Sequence, residues 1–267
     1  MAYEYILLEK AEGIATITLN RPEKLNSLIP SMRVEIRGAL EDVAEDDSIR
    51  AVVFTGAGRG FCSGADVRTV VEHSEMAEDE PQRELLLQPV ATARLLALIR
   101  SFNKPTICAL NGVVAGAGTS LALTCDILIA SEQARFRLAF TRMGLPPVDG
   151  MSYLLSRRIG THRALELAYT NDMIDAEEME RIGLVNRVVP HDELMKETRE
   201  TAQKMFQIPP LTLALTKQCI YKGATTSDIE SQMIFDDLAR KSLAQTTDQK
   251  EAQRSFLENR EPVYKGK

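Results

Sequence analysis

Residues 58–66 (GRGFCSGAD) directly follow the apolar run IRAVVFTG, and a second glycine-rich stretch, 111–123 (NGVVAGAGTSLAL), directly follows the apolar run TICAL. Glycine after a buried strand lets backbone N–H groups come close to a ligand. Such donors suit a phosphate, or an oxygen on which negative charge develops during a reaction. A dinucleotide fingerprint opening at Gly56 would place its third glycine at Phe61, and no Gly-Lys-Ser/Thr closes a phosphate loop, so neither pyrophosphate cradle is completed. The turns serve another ligand, or none.

Other reactive residue types are sparse. Cys62, Cys108, Cys125 and Cys219 lie far apart with no C-x-x-C, and three of them sit in or beside apolar runs, which reads as buried free thiols in a reducing compartment. His73, His162 and His191 include no pair at ligand spacing, so no metal site is expected. His162 in THRAL and His191 before Asp192 stand at helix starts and should be exposed.

The elements that must position these turns follow from the apolar patterning. Residues 3–10 and 13–20 form a hairpin about a tight Glu12-Gly13 turn, with Ala15, Ile17 and Leu19 alternating with Thr16 and Thr18. Ser31 is the expected N-cap of a helix reaching about Asp46 and carrying Val34, Leu40 and Val43. The runs 49–55, 106–110 and 126–130 lack alternation, as strands covered on both faces do. Strand, glycine-rich turn and helix occur twice, a weak internal repeat. From Asp192 only helical periods remain: Leu194, Thr198, Ala202, Met205; then Leu211, Leu215, Cys219; then Ile229, Met233, Ile234, Leu238. The division is therefore a 1–191 α/β core and a 192–267 helical region, whose apolar faces must pack on the core or on another subunit.

A chain of 267 residues, 44% hydrophobic and 26% charged, is an ordinary globular length and composition. The net charge of −6 is spread along it without clusters of basic and aromatic residues, which argues against a nucleic-acid partner. No run approaches a membrane span, and MAYEYILLEK enters a strand pattern rather than a targeting segment, so a cytoplasmic location is expected.

Taken in order, RPEKLNSL (21–28), GRGFCSGADV (58–67), KPTICALNGVVAGAGTSLALTCDILIAS (104–131), AEEMERIGLVNRVVP (176–190) and FLENREPVYKGK at the C-terminus resemble the crotonase superfamily, the enoyl-CoA hydratase and isomerase family. The resemblance spans nearly the whole chain and is weakest over 136–156. It implies an α/β fold with a spiral core of repeated ββα units, a C-terminal helical trimerisation region, and a homotrimer or dimer of trimers. It also implies an acyl-CoA thioester as substrate, with coenzyme A entering as part of it and no separate cofactor. The thioester oxygen would sit between the backbone N–H groups of Ala65 and Ala117, with Gly64 and Gly116 allowing close approach and a helix starting near Gly118 adding its positive end. CoA phosphates would meet Lys24, Arg68 and, from a neighbouring subunit, Lys265. His73 falls in the segment from which relatives line the acyl pocket.

The departures from the family pattern bear on the reaction. Hydratases of the family use two glutamates; here those positions hold Ser120 and Phe140. Neither supplies the carboxylate pair that water addition needs, although Ser120 can orient a water or a substrate hydroxyl. Asp149, in GLPPVDGMS, is the nearest remaining carboxylate. It is either the single base or a cap for a helix over 150–158. Asp66 is a second carboxylate, or the residue that holds its own loop. One base beside a stabilised enolate suits double-bond isomerisation. Atypical hydration, hydrolysis or decarboxylation of a β-dicarbonyl thioester, and non-catalytic acyl-CoA binding are the alternatives.

Overall fold

The computed structural model describes residues 3–68 and 91–266. The chain opens with strands β1 (Ile6–Ala11) and β2 (Ile14–Leu19), paired antiparallel with Ala11 opposite Ile14. Glu12 and Gly13 between them both have positive φ, 52° and 77°, the backbone that a two-residue hairpin turn demands.

Helix α1 (Pro30–Glu45) begins one residue before the expected cap. Ser31 lies inside its first turn, and Ile29 is the N-cap without a side-chain hydrogen bond. Pro30 sets the start instead, since its fixed φ suits the first helical position and its missing N–H would have had no partner there. Leu40 and Val43 face the core with Met32, Ile36 and Ala39, whereas Val34 is 58% exposed and belongs to the outer face.

Three strand pairs follow: β3 (Ala51–Gly56) with β4 (Gly60–Cys62), β5 (Thr106–Leu110) with β6 (Val113–Ala115), and β7 (Ile127–Ser131) with β8 (Arg135–Arg137). In each pair the first strand joins a six-stranded sheet of order β1-β2-β3-β5-β7-β10, and the second joins a four-stranded sheet of order β4-β6-β8-β9. The partners β9 (Ile174–Asp175) and β10 (Arg187–Val189) complete the two sheets. The repeat is thus threefold, each unit turning from one sheet into the other, with α2 (Ala91–Ser101) before the second unit and α3 (Ala117–Thr124) between the second and third. This is the spiral of ββα units.

The central strands are buried on both faces for a visible reason. Val52, Phe54, Cys108, Leu110, Leu128 and Ala130 pack inward with α1, α2 and α3. Their alternates Ala51, Val53, Ile107, Ala109 and Ile129 pack with Leu194 and Ala202 of α7 (Leu194–Met205) on the opposite face. Each fully buried Phe or Ile side chain contributes about 1.5–3 kcal/mol, so continuous apolar runs are what a twice-covered strand needs.

Between β8 and β9 lie α4 (Met151–Ile159) and α5 (Thr161–Thr170), and α6 (Ala176–Arg181) leads to β10. After α7 come α8 (Pro210–Gly223), α9 (Ile229–Leu243) and α10 (Thr247–Glu258). The fourth of these C-terminal helices has no apolar period in TDQKEAQRSFLE. It is set by its cap, Thr246, whose side chain accepts from the Gln249 N–H. No helix among the described residues is long and apolar enough to cross a membrane.

Candidate active site

The first glycine-rich turn is braced by two asparagines. Asn26 is fully buried: its Nδ2 donates to the carbonyls of Ala57 (2.9 Å) and Gly60 (2.8 Å), and its Oδ1 accepts from the Arg21 N–H (2.8 Å). Asn111, at the head of the second turn, donates to the carbonyl of Gly58 (2.9 Å) and accepts from the Gly56 N–H (3.1 Å). Polar side chains inside the apolar stretches KLNSL and CALNG were the signal for this role, and residue-by-residue inspection for acids and bases passes over it.

The next residues lie beside the start of α1. Leu28 pairs with Ala65 as an isolated parallel bridge, the Leu28 N–H donating to Gly64 (2.7 Å) and the Asp66 N–H to Leu28 (3.0 Å). That pattern uses the groups on either side of the Ala65 N–H and leaves it without a backbone acceptor among the described residues. The Ala117 N–H, at the first position of α3, likewise has none.

The two turns abut. Gly64, at φ 105°, has the place of its missing Cβ 3.0 Å from the Ala115 carbonyl and 3.3 Å from the Ala117 nitrogen, so any side chain there would force the turns apart. Gly118 packs equally closely on Cys62, where an added Cβ would lie 2.8 Å from the Cys62 Cβ and 2.9 Å from its Sγ. Gly116 precedes the helix at φ 48°. Two unpaired N–H groups on adjoining backbone, one at a helix start, form an anion-accepting arrangement.

A cavity of ≈ 520 Å³ opens onto this loop, lined by Arg21, Lys24, Ser63, Ala65, Asp66 and Arg68 among others. Lys24 and Arg68 therefore flank Ala65 and are both exposed. Lys265 does not line this cavity within one chain; its N–H is tied to Asp248 of α10 at 2.7 Å. His73 lies outside the described residues.

Asp66 is held rather than poised. Arg21 Nη2 pairs with it at 3.2 Å, Ser27 Oγ donates at 3.3 Å and the Arg68 N–H at 3.3 Å. Burial pushes this carboxyl up, but those donors together outweigh it and hold the group below the usual carboxylate range. Cys62 is buried, which pushes its thiol up to about 12 and leaves it unreactive at neutral pH.

Asp149 differs in each respect. Helix α4 starts at Met151 with Gly150 as its N-cap and no side-chain cap bond, so Asp149 does not cap the helix. Its own φ is 55°, in the left-handed region, and its side chain makes no hydrogen bond or ion pair among the described residues. It lines a second cavity of ≈ 260 Å³ walled by Leu96, Ala97 and Arg100 of α2 and by Tyr153 and Leu154 of α4. Burial raises its carboxyl above the ordinary range, opposed by the charge of Arg33. Arg33, on α1, is itself desolvated, which lowers its guanidinium against the opposing charges of Asp149 and Cys62.

Ser120 is wholly buried on α3 with an Oγ that has no hydrogen-bond partner among the described residues, and Phe140 is buried in the main core. His162 and His191 are exposed, the latter with Nδ1 3.0 Å from Ser131 Oγ.

Known proteins bear on this arrangement. The family model described as enoyl-CoA hydratase/isomerase matches residues 9–267. A 1,2-epoxyphenylacetyl-CoA isomerase of Escherichia coli K12 is 36% identical over 266 residues, covering 99% of each chain. A short-chain-enoyl-CoA hydratase of Clostridium acetobutylicum is 36% identical over 261 residues, covering 97% of each. Among solved structures, an enoyl-CoA hydratase from Bacillus anthracis superposes with a TM-score of 0.89 at 31% identity, over 99% of this chain and 100% of that one. A monofunctional enoyl-CoA isomerase from M. smegmatis gives 0.72 at 37% identity, over 86% and 98%.

Proposed function

Because this chain belongs to the enoyl-CoA hydratase/isomerase family of the crotonase superfamily, we propose that it moves a double bond within an enoyl-CoA thioester, with the thioester oxygen held between the N–H groups of Ala65 and Ala117. The observation that carries this reading is the pair of unpaired N–H donors on adjoining turns. When a proton leaves the α-carbon, the electron pair delocalises onto the thioester oxygen. Each donor aimed at that oxygen contributes roughly a hundred- to a thousandfold in rate.

Asp149 is the base in this reading. It takes the proton from the α-carbon of a 3-enoyl chain and returns it to the γ-carbon, which leaves the double bond conjugated with the thioester and the carboxylate regenerated. Its desolvated, unpaired state supports the role, because a raised carboxyl lies closer to the working pH of a group that both accepts and gives a proton. Ser120 and Phe140 in place of two carboxylates favour a single-base reaction over hydration, and two of the relatives above are named as isomerases. No cofactor is required beyond the coenzyme A of the substrate. Lys24 and Arg68, on the cavity that reaches Ala65, would meet its phosphates, and Lys265 would serve a neighbouring subunit.

A homotrimer or dimer of trimers would bring that subunit into place. Exposed apolar side chains on α9 (Ile229, Met233, Ile234, Leu238) and α10 (Phe256, Leu257) support such a contact. A second reading, hydration with atypical residues, draws on the unpartnered Ser120 Oγ, which can hold a water. The two separate on a 3-enoyl-CoA substrate with product mass recorded. Isomerisation without mass gain, reduced about a hundredfold or more in Asp149→Asn, supports the first. A gain of one water that is lost in Ser120→Ala supports the second.

A further inference from the structure

Two cavities adjoin at the C-terminal turn of α2. The first, of ≈ 260 Å³, is the one that Asp149 lines together with Leu96, Tyr153 and Leu154. The second, of ≈ 340 Å³, is walled by Phe102 and by Lys217 and Tyr221 of α8. Ala97 and Arg100 are the two described residues that line both. Ala97 offers a single methyl group, so the side chain that stands between the two spaces is that of Arg100.

Aromatic rings hold that side chain in place. Its guanidinium carbon lies 3.9 Å from the ring centre of Tyr221 and 5.6 Å from that of Tyr153, one ring from the wall of each cavity. Both rings are themselves fixed: Tyr221 donates to Asp126 Oδ1 at 2.6 Å, and Arg157 stacks on Tyr153 at 3.9 Å. Contacts between a cation and a ring contribute about 0.5–2 kcal/mol each. Arg100 has no hydrogen-bond acceptor and no ion-pair partner among the described residues, and it is only half-buried. Water therefore solvates the guanidinium edge that the rings leave open.

This geometry limits what the first cavity can hold. With Asp149 at the α-carbon, the remainder of the acyl chain runs into the cavity that Asp149 lines, toward Arg100. A short chain packs on Leu96, Ala97 and Leu154. A longer one presses methylene groups against the guanidinium, stripping it of water while giving it nothing to donate to. We propose that Arg100 is a specificity-determining residue that sets the upper length of the acyl chain, by closing the first cavity off from the second. The substrates are then enoyl-CoA esters whose chains end within the first cavity. This rests on the acyl-CoA reading above, with Asp149 as base.

The test is kcat/KM for a series of straight-chain 3-enoyl-CoA esters from butenoyl to dodecenoyl, with the native enzyme, Arg100→Ala and Ala97→Leu. Beyond the length that fills the first cavity, the native rate should fall about tenfold or more for each pair of carbons added. Arg100→Ala opens the way into the second cavity and should move that fall to longer chains, raising the ratio of long-chain to short-chain rates about tenfold or more. Ala97→Leu adds bulk at the shared wall with Arg100 still in place, and should move the fall to shorter chains. A variant that is merely less stable lowers the rates at every length and leaves the ratio as it was. An unchanged ratio in Arg100→Ala, or a native profile that is flat across the series, overturns this inference alone. Asp149→Asn on the shortest ester separates the two failures: a rate undiminished there, or no conversion and no binding of any ester, overturns the reading on which the inference rests.

Discussion

Asp66 and Asp149 show how surroundings assign opposite states to the same side chain. Asp66 is paired with Arg21 and is held below the carboxylate range, so its stabilising effect is present above its ordinary pKa and is lost as pH falls through the lowered folded value. Asp66→Ala should therefore destabilise the protein by about 1–3 kcal/mol at neutral pH, read by urea unfolding, with the difference fading in acid. Asp149 has the reverse sign: its folded pKa is raised, so its contribution is present in acid and is lost as pH rises through that value. Asp149→Asn should raise the melting temperature, and by more at pH 8 than at pH 4. Equal gains at both pH values would mean that the carboxyl is not desolvated. In the same account the rate of the native enzyme rises with pH through a carboxyl titrating above the ordinary range, and Arg33→Met moves that limb higher by removing the opposing charge. Asn26 belongs at this scale too. Asn26→Ala deletes three hydrogen bonds at a buried position with φ 55° and should cost about 3 kcal/mol, with kcat reduced because the Gly56–Gly60 turn loses its brace.

At the scale of elements, α8 is fastened to the core by a polar latch. Lys217 Nζ pairs with Asp126 Oδ2 at 2.9 Å, with the two side chains 9% and 18% exposed, and also donates to the Ile99 carbonyl at the end of α2. Tyr221 donates to Asp126 Oδ1 at 2.6 Å while Arg100 stacks over its ring at 3.9 Å. Asp126 also accepts from the Thr106 N–H and hydroxyl. Removing the cation leaves the carboxylate with those other donors, whereas removing the carboxylate leaves a buried ammonium with one carbonyl. Lys217→Met should cost about 2 kcal/mol and Asp126→Ala about 3–5 kcal/mol in urea unfolding; the reverse order would contradict the latch. The hairpin, the three buried strands and α7 were legible in the sequence because each is specified by local pattern: period two, continuous apolar runs, period 3.6. The cap of α1 was missed by two residues because Pro30, and not the side chain of Ser31, sets the helix start. Helix α10 was missed because its sequence carries no apolar period and only its cap marks it.

At the scale of the molecule, the strands alternate between two sheets, and this brings together turns that are about fifty residues apart in sequence. The glycines and Asp149 could be picked out from the sequence, but the isolation of Arg33 could not. Arg37, one turn further along α1, is the same residue type and makes an ordinary surface pair with Glu41; Arg33 differs in that its Nε is buried without a partner among the described residues. The exposed apolar stripe of α9 and α10 is likewise a property of the assembled chain, with Phe256 and Leu257 at 82% and 80% exposure. Light scattering after size exclusion should give three or six times the chain mass, and Ile234→Asp combined with Phe256→Asp should shift it to the monomer. A native monomer would leave Lys265 without a neighbouring site to serve.

The central claim is enolate chemistry at the Ala65 and Ala117 N–H groups with Asp149 as the single base. It is tested most directly by incubating the protein in D₂O with saturated, 2-enoyl and 3-enoyl CoA thioesters and following deuterium at the α-carbon by mass spectrometry. The account predicts α-deuterium uptake or a moved double bond without addition of water, and its loss in Asp149→Asn. Exchange undiminished in Asp149→Asn, or no exchange with any thioester that binds, would contradict it.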